Sequence, residues 1–283
     1  MPGPDIVSRL RAAGCVFAED EAELLRSAAR SAGELDLMVD RRVAGLPLEQ
    51  VIGWAEFRGL RIEVAPGVFV PRRRTEFLVG LATELALAGP AVRGRVILDL
   101  CCGAGAIAAA LAAGVPGAEV HAADIDPTAV ACARRNVPGA VYQGDLFDPL
   151  PASLRGRVTI LTANVPYVPT GEIPFLPPEA RTYEPGIALD GGPDGLNVLR
   201  RVAAGAPQWL ASGGQLLIET SDAQAPHAAA AFTAAGLTPS VATSADLDAT
   251  VVIGQTLTTK RCRSHHGFVA GGTCRRVFDV IYP

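Results

Sequence analysis

From residue 77 onward the sequence alternates between short apolar runs and longer segments with helical periodicity. A helical stretch, EFLVGLATELALAG, precedes RVILDL, in which Val96, Ile97 and Leu98 are consecutive and apolar. Such a run is typical of a parallel strand that is buried on both faces. Strands that alternate with helices build a parallel sheet covered on both sides, so the sequence predicts an α/β fold with a doubly wound, Rossmann-like sheet. Ligands of such sheets bind at the carboxyl ends of the strands.

Further segments continue this pattern. They are the helices GAIAAALAAG, PTAVACARRNV and GLNVLRRVAAGAPQWLA and the strands AEVHAAD, AVYQ, RVTILTAN and GQLLIET, followed by a closing pair of strands in LTPSVATSADLDATVVIG. The first sixty residues predict helices, and AEFRGLRIEV with GVFVP predicts a β-hairpin. We therefore expect a small helical domain with a hairpin linker at residues 1–76, the α/β domain at 77–254 and an atypical tail at 255–283.

Composition narrows the class of protein. A net charge of -4 and a pI near 5.6 give no overall footprint for nucleic acid, although Arg72, Arg73 and Arg74 form a basic run. Apolar stretches are interrupted well before the roughly 20 residues that a membrane span needs, and no basic-then-apolar leader opens the chain. These features predict a cytoplasmic protein without a membrane partner.

The six cysteines have no spacing typical of a secreted disulfide framework or a metal site, so we expect reduced thiols. In the tail, Cys262, His265, His266 and Cys274 lie in one neighbourhood, but their spacing fits no established ligand pattern. The sequence therefore predicts no metal.

The loop after the first strand of the α/β domain is rich in glycine. In DLCCGAGAI, Asp99 ends the strand, Gly103 and Gly105 allow a tight turn, and the next helix offers its N-terminus to a ligand. Alone this is weak evidence, because dinucleotide-binding enzymes use a similar loop. The candidate ligand-binding residues here are Asp99, Cys101, Cys102, Gly103, Ala104 and Gly105.

An acidic residue also ends the second strand. Asp124 lies 19 residues beyond Gly105, a distance at which a carboxylate can accept hydrogen bonds from both hydroxyls of a ribose. Asp126 competes for this role, but Asp126-Pro127 is typical of a helix N-cap followed by proline at the first helical position. We therefore predict that Asp124 binds the ribose.

The loop after the third strand, GDLFDPL, completes a nucleoside site. Asp145 could accept a hydrogen bond from an adenine amino group, and Leu146 and Phe147 offer apolar surface to its ring. The three loops together describe an extended nucleoside without a basic cradle for a pyrophosphate. S-adenosylmethionine fits such a site better than NAD does.

The fourth strand ends in Asn164-Val165-Pro166-Tyr167, beside the expected position of an activated methyl group. The lone pair of a planar nitrogen is delocalised, so the nitrogen must be oriented to react. The side-chain oxygen of Asn164 and the main-chain carbonyl of Val165 can accept its two N–H bonds, while Pro166 restricts the main chain. The Tyr167 ring would form an apolar wall that excludes water. Alternatively, NVPY is only a strand terminus with a rigid turn.

These motifs resemble the HemK/PrmC-type protein-(glutamine-N5) methyltransferases. The resemblance covers residues 45–254 and includes PLEQVIGWAEFRGLRIEVAPGVFVPRRRTE, DLCCGAGAIAAALA, AADIDPTAV, NVPYVP and LPPEARTYEPGIALDGGPDGLNVLRRV. It implies a class I S-adenosylmethionine-dependent fold, a helical N-terminal domain that recognises a protein, and methylation of a glutamine amide in a release factor Gly-Gly-Gln loop or a ribosomal protein. It also implies that Asn164 contacts the cofactor as well as the substrate.

Two motifs depart from the usual pattern of this family. Val165 stands where the family usually has proline, and Arg73 and Arg74 stand where it usually has Pro-Asp. Together with the tail, these departures are typical of a side branch of the family, in which the protein target need not be a release factor.

Two other functions compete with this interpretation. An Asn-x-Pro-Tyr site can also orient the exocyclic amine of adenine, but a nucleic-acid methyltransferase would need base flipping and a basic groove, which the acidic pI disfavours. The chain could instead be a non-catalytic module that binds S-adenosylmethionine.

Overall fold

The computed structural model describes residues 5–88 and 94–257. Four helices open the described part of the chain: α1 (Ile6–Ala12), α2 (Ala18–Ala28), α3 (Ala32–Val43) and α4 (Leu48–Ile52). Their apolar faces meet in a small core in which Leu10, Leu25 and Val39 are fully buried. The predicted helical start of the chain is therefore present. Most of the predicted tail, including the four Cys and His residues considered for a metal, lies outside the described residues.

A two-stranded antiparallel hairpin follows, made of β1 (Trp54–Phe57) and β2 (Leu60–Glu63). Its turn residues Arg58 and Gly59 have φ of 51° and 74°, and two positive φ values in a two-residue loop are typical of the tight turn that matches strand twist. The hairpin thus consists of Trp54 and most of AEFRGLRIEV. The prediction that GVFVP forms part of it was wrong, because these residues make a loop.

A seven-stranded sheet forms the main body of the protein. Its strands are β3 (Val96–Leu100), β4 (Glu119–Asp124), β5 (Ala140–Gln143), β6 (Val158–Ala163), β7 (Leu210–Thr220), β8 (Thr238–Ser244) and β9 (Ala249–Gln255). Their order is β5-β4-β3-β6-β7-β9-β8, with β3 to β7 parallel and β9 antiparallel to both of its neighbours. All five residues of β3 are buried, as the apolar run predicted. The doubly wound α/β fold is confirmed.

Helices cover both faces of this sheet. They are α5 (Glu76–Ala88), α6 (Ala106–Gly114), α7 (Pro127–Asn136), α10 (Asn197–Gly205) and α11 (Ala225–Ala234), while two short helices, α8 (Pro178–Tyr183) and α9 (Gly186–Leu189), lie in the loop after β6. On one face Ile97 packs with residues of α5, α6 and α7, and on the other Leu98 packs with residues of α10 and α11. None of the helices in the described part of the chain is long and apolar enough to span a membrane.

Proline explains two differences from the predicted elements. The helix predicted over GLNVLRRVAAGAPQWLA ends at Gly205 and gives way to a 3-10 turn at Ala206–Gln208, because Pro207 cannot supply the N–H that the helix needs. The long loop after β6 contains two unpredicted short helices, α8 and α9. The N-caps of both are prolines, Pro177 and Pro185, whose fixed φ suits the entry to a helix.

The order of the strands determines where a ligand can bind. The chain moves outward from β3 to β4 and β5 and then returns to the other side of β3 with β6. The loops after β3 and β6 therefore leave the sheet side by side and turn in opposite directions. In open α/β sheets this reversal creates the crevice that holds the ligand.

Candidate active site

A cavity of about 740 Å³ opens at this crevice. Most of the predicted site residues line it, namely Cys101, Cys102, Gly103, Ala104, Asp124, Asp145, Leu146, Asn164, Val165, Pro166 and Tyr167. Asp99 and Gly105 do not line it. The structure thus brings four separate loops of the sequence together around one space.

Asp99 lies inside the protein instead. It is fully buried, and its Oδ1 accepts a hydrogen bond of 2.8 Å from the Thr162 hydroxyl of β6. Burial raises the pKa of its carboxyl to about 7, against the opposing hydrogen bonds from Thr162 and the main chain of Ala108. Asp99 therefore joins β3, β6 and α6 beneath the cavity.

The glycines of the first loop have separate tasks. Gly103 has φ of 54° and open space where a side chain would be, and its N–H donates to Asp124 Oδ2 at 2.8 Å. Gly105 caps α6 with φ of 83°, and a Cβ there would lie 2.6 Å from Val137 Cγ2 and 3.3 Å from Ala133 Cα of α7. Gly103 thus leaves room for a ligand, whereas Gly105 permits α6 and α7 to pack closely.

Asp124 ends β4 with its carboxylate turned toward this loop. Its Oδ2 accepts from Gly103 N and its Oδ1 from Asp126 N, at 2.8 and 2.9 Å. Burial raises the pKa of this carboxyl, while both main-chain hydrogen bonds oppose the rise. Each oxygen keeps further capacity to accept a hydroxyl. Asp126 accepts from Thr128 N at 2.8 Å and caps α7, which confirms the N-cap prediction.

The third loop contributes Asp145 and Leu146 but not Phe147. Leu146 lines the cavity with φ of 49°, and the Asp145 carboxylate forms an ion pair of 2.6 Å with Arg201, a cavity residue that the sequence did not indicate. Phe147 instead stacks on Trp209, with ring centroids 5.6 Å apart. The expectation that Phe147 faces the ligand was wrong, because the space under α10 buries its ring equally well.

The residues after β6 present two acceptors to the cavity. Within the described residues, no donor reaches the Asn164 side-chain oxygen or the Val165 main-chain oxygen. The Asn164 amide nitrogen donates to the Thr75 hydroxyl oxygen at 3.3 Å, and the Val165 side chain is buried. This arrangement leaves both oxygens available to a group with two N–H bonds.

Tyr167 is held from three directions. Its hydroxyl accepts a hydrogen bond from Arg74 Nη2, and its main-chain oxygen accepts one of 2.9 Å from Gln224 Nε2. Gly195 passes directly behind, where a Cβ would lie 2.2 Å from the Tyr167 oxygen. Glycine in the segment EPGIALDGGPDGL is therefore required so that this segment can support the NVPY turn.

Two buried glutamates neutralise most of the basic run. Arg72 forms an ion pair of 2.6 Å with Glu184, and Arg74 Nε lies 3.2 Å from Glu219 Oε1. Both carboxylates are nearly inaccessible, and burial raises the pKa of each against its arginine. The run is thus part of the cavity wall, and the pairing argues against its use as a nucleic-acid groove.

Thr75, Glu184, Arg201 and Glu219 are the site residues that sequence reasoning missed. Glu184 and Arg201 lie within LPPEARTYEPGIALDGGPDGLNVLRRV, a segment that carries the family resemblance but does not indicate which of its side chains line the cavity. Glu219 is typical of the end of a strand. Thr75 was within a quoted motif, PRRRTE, but nothing in that motif indicates that it contacts Asn164, 89 positions away.

Comparison with known proteins gives the chemical context of this site. Residues 60–153 match the family described as Methyltransferase small domain. The chain is 42% identical over 190 residues to the release factor glutamine methyltransferase of Streptomyces coelicolor, a match that covers 66% of this chain and 67% of that protein. It is 37% identical over 203 residues to the 4-amino-L-phenylalanine/4-methylamino-L-phenylalanine methyltransferase of Streptomyces pristinaespiralis, covering 70% and 69% of the two chains.

Among solved structures, a methyltransferase from Pyrococcus furiosus is similar with a TM-score of 0.54 and 18% sequence identity. The similarity covers 77% of this chain and 99% of that one. At this identity the likeness concerns the fold alone.

Proposed function

The chain belongs to the family of release factor glutamine methyltransferases, and on that premise we propose that it methylates the side-chain amide nitrogen of a glutamine in a protein. As a member of this family it is an S-adenosylmethionine-dependent enzyme. The observation that carries the choice of substrate nitrogen is the pair of available acceptors, Asn164 Oδ1 and the Val165 oxygen, in the wall of one cavity.

The residues present fit S-adenosylmethionine. Asp124 offers acceptors for a ribose, the open side of Gly103 leaves room beside it, and Leu146 adds apolar surface. A volume of about 740 Å³ lies within the range of small-molecule sites, roughly 300–1,000 Å³, and leaves space for a side chain beside the nucleoside. When bound, S-adenosylmethionine supplies a methyl group activated by a sulfonium sulfur.

Catalysis by this chain is then a matter of orientation. Asn164 and Val165 hold the two N–H bonds of the amide, so that its lone pair points at the reactive carbon. The Tyr167 ring limits the tilt of the amide and keeps water away. Orientation of this kind can supply about 7 to 11 kcal/mol of barrier reduction. The methylated nitrogen would carry a positive charge and would lose one of its two protons to solvent. Because such a cationic amide is a strong acid, these residues need no strong base.

We propose the Gly-Gly-Gln loop of a peptide chain release factor as the protein substrate. The 42% identity to the Streptomyces coelicolor relative supports this choice. We further propose that the helical residues 1–76 recognise the protein, because Arg42 of α3 pairs with Glu179 of α8 at 3.2 Å and the Tyr183 hydroxyl donates to the Ala44 oxygen. These contacts join the helical region to the wall of the cavity.

We also propose that residues 77–254 form the catalytic domain and that residues 255–283 form a separate tail. We propose a cytoplasmic location for the protein. The four cysteines of the described residues are free thiols, as suits a reducing compartment.

Labelled methyl transfer tests the proposed function. The purified chain, tritiated S-adenosylmethionine and purified release factors, ribosomal proteins, DNA or RNA are combined, and the labelled residue is identified by mass spectrometry. We expect N5-methylglutamine in a release factor. Label in nucleic acid alone would contradict the proposal, and cofactor binding without transfer to any protein would favour the non-catalytic module.

A second candidate substrate is the aromatic amine of an amino acid. The Streptomyces pristinaespiralis relative supports it, since the same two acceptors can hold an aromatic amine. The Arg74 guanidinium, 44% exposed at the cavity wall, adds a cation that a substrate carboxylate could approach. Adding 4-amino-L-phenylalanine to the same assay separates the two, because only this candidate predicts a labelled small molecule.

A further inference from the structure

Asn164 can serve the proposed reaction in only one of its two amide orientations. Its oxygen must face the substrate, because the substrate nitrogen arrives with N–H donors. A rotation of the amide by 180° would present N–H bonds to N–H bonds. Something in the protein must therefore distinguish the two ends of this amide.

The Thr75 hydroxyl touches Asn164 but cannot make the distinction alone. Thr75 ends the short 3-10 turn Arg73–Thr75, is buried, and lies 3.3 Å from the Asn164 amide nitrogen. A hydroxyl can donate or accept, so by itself it would tolerate either orientation. Whether the hydroxyl accepts from Asn164 or donates to it depends on whether another group accepts the hydrogen bond of the hydroxyl.

Glu219 is placed to accept the hydrogen bond of the Thr75 hydroxyl. It lies near the end of β7 and is only 2% exposed. Its Oε1 accepts from Arg74 Nε at 3.2 Å, whereas Oε2 has no partner among the described residues. An ionised carboxylate can only accept, so a neighbouring hydroxyl must donate to it. Thr75 lies close enough to lower the pKa of the Glu219 carboxyl, and the unpartnered Oε2 leaves that carboxylate able to accept a hydrogen bond from the Thr75 hydroxyl.

We propose that Glu219, acting through the Thr75 hydroxyl, fixes the orientation of the Asn164 amide so that its oxygen faces the substrate nitrogen. Glu219 accepts a hydrogen bond from the Thr75 hydroxyl, the Thr75 oxygen accepts one from Asn164 Nδ2, and Asn164 Oδ1 is left for the substrate. Glu219 and Thr75 are positioning residues, and this role rests on the proposed function.

The direction of these hydrogen bonds depends on the charge of Glu219. Burial raises its pKa, while Thr75 and Arg74 oppose the rise. The other titratable groups around it are Tyr167, whose hydroxyl is bound to Arg74, and Asp222 and Asp248, which line a small cavity of about 310 Å³ with Glu219. Once protonated, Glu219 can donate to Thr75 and release the constraint. Transfer should therefore fall as pH drops through a glutamate pKa above the ordinary range.

The kinetic test uses the full chain with S-adenosylmethionine and a purified release factor. We expect Glu219→Gln and Thr75→Val to lower kcat about 10- to 100-fold, the value of one or two buried hydrogen bonds, with cofactor affinity within about twofold of wild type. Thr75→Ser should restore most of kcat, and Glu219→Gln should lose the acid limb of the pH profile. Thr83→Val on α5 and Glu119→Gln at the opposite end of the sheet are matched controls that should change little.

A second measurement does not require turnover. In 15N NMR spectra, the side-chain amide of Asn164, assigned by its loss in Asn164→Ala, should shift with pH in wild type and lose that shift in Glu219→Gln. The proposal is overturned if this signal is unaffected by Glu219→Gln, or if Thr75→Ser is as impaired as Thr75→Val. Absence of transfer by wild type would count against the proposed function instead, and the NMR result would still decide the orientation.

Discussion

The two sides of the cavity are built in different ways. The side formed by the loops after β3 and β4 uses main-chain groups and one carboxylate, since Asp124 is fixed by the N–H groups of Gly103 and Asp126. The side after β6 uses side chains brought from distant parts of the chain, as Asn164 contacts Thr75 and Tyr167 contacts Arg74. A site made of main chain tolerates many side chains, whereas a site made of remote side chains fails when one of them changes.

The largest effect should come from Asn164→Ala, which affects only the side after β6. Removing an oriented hydrogen-bonding group from an active site lowers kcat about 100- to 1,000-fold. We expect such a loss in single-turnover methyl transfer, with calorimetry giving a cofactor affinity close to wild type. Asn197→Ala, at an exposed position at the start of α10, is the control. A loss of cofactor affinity as large as the loss of methyl transfer would show that the side after β6 also binds the cofactor, and would contradict the proposed division between the two sides.

Gly195→Ala should act on the same side through stability. The new Cβ would lie 2.2 Å from the Tyr167 oxygen and 2.3 Å from Gln224 Nε2, at a φ of 75°. Overpacking and an unfavourable φ together should lower the free energy of unfolding by about 2 to 3 kcal/mol in urea titrations. Gly171→Ala, where the Cβ has open space, should be nearly neutral. Equal stability of the two variants would mean that this segment does not support the NVPY turn.

Asp124→Asn, on the side formed by the loops after β3 and β4, should weaken cofactor binding while leaving methyl transfer largely intact. Replacing a carboxylate that accepts hydroxyls should weaken S-adenosylmethionine binding about 10- to 100-fold, whereas kcat at saturating cofactor should change little. Asp126→Asn should leave affinity unaltered, because asparagine is an equally good N-cap. A large fall in kcat at saturating cofactor would indicate that Asp124 also acts on the substrate.

The smallest effect should follow from Val165→Pro. The proposed chemistry uses the Val165 main-chain oxygen, and no described hydrogen bond uses its N–H group. We expect kcat to stay within about threefold of wild type, since a residue that precedes proline is already restricted to extended conformations. A loss like that of Asn164→Ala would show that the valine side chain itself is required.

The contrast between the two sides also explains how far the sequence could be interpreted. Asp124 ends a strand, and Gly103 and Leu146 lie just beyond strand ends, so strand prediction is enough to bring them to one edge of the sheet. Thr75 meets Asn164, and Arg74 meets Glu219, only through the packing of α5 and the turn before it against β6 and β7, and that information is not local. Phe147 was misassigned because an apolar side chain gains a similar free energy of burial whether it faces the cavity or packs against Trp209 on the other side of the loop. Asp99 was misassigned because a polar residue at a strand end can also hydrogen-bond inside the core, as it does with Thr162.

The pairing of Arg74 with Glu219 constrains how this chain can change over generations. A buried carboxylate that loses its cation leaves an uncompensated charge, which typically costs about 3 to 5 kcal/mol. We therefore expect replacement of Arg74 alone to be tolerated less well than replacement of both residues, whereas the Arg74 side chain, 44% exposed, can be solvated when Glu219 is lost. Substitutions at position 74 should therefore be accompanied by substitutions at position 219, which is 145 residues away. A mutational library of this protein should recover viable changes at the two positions together more readily than at position 74 alone.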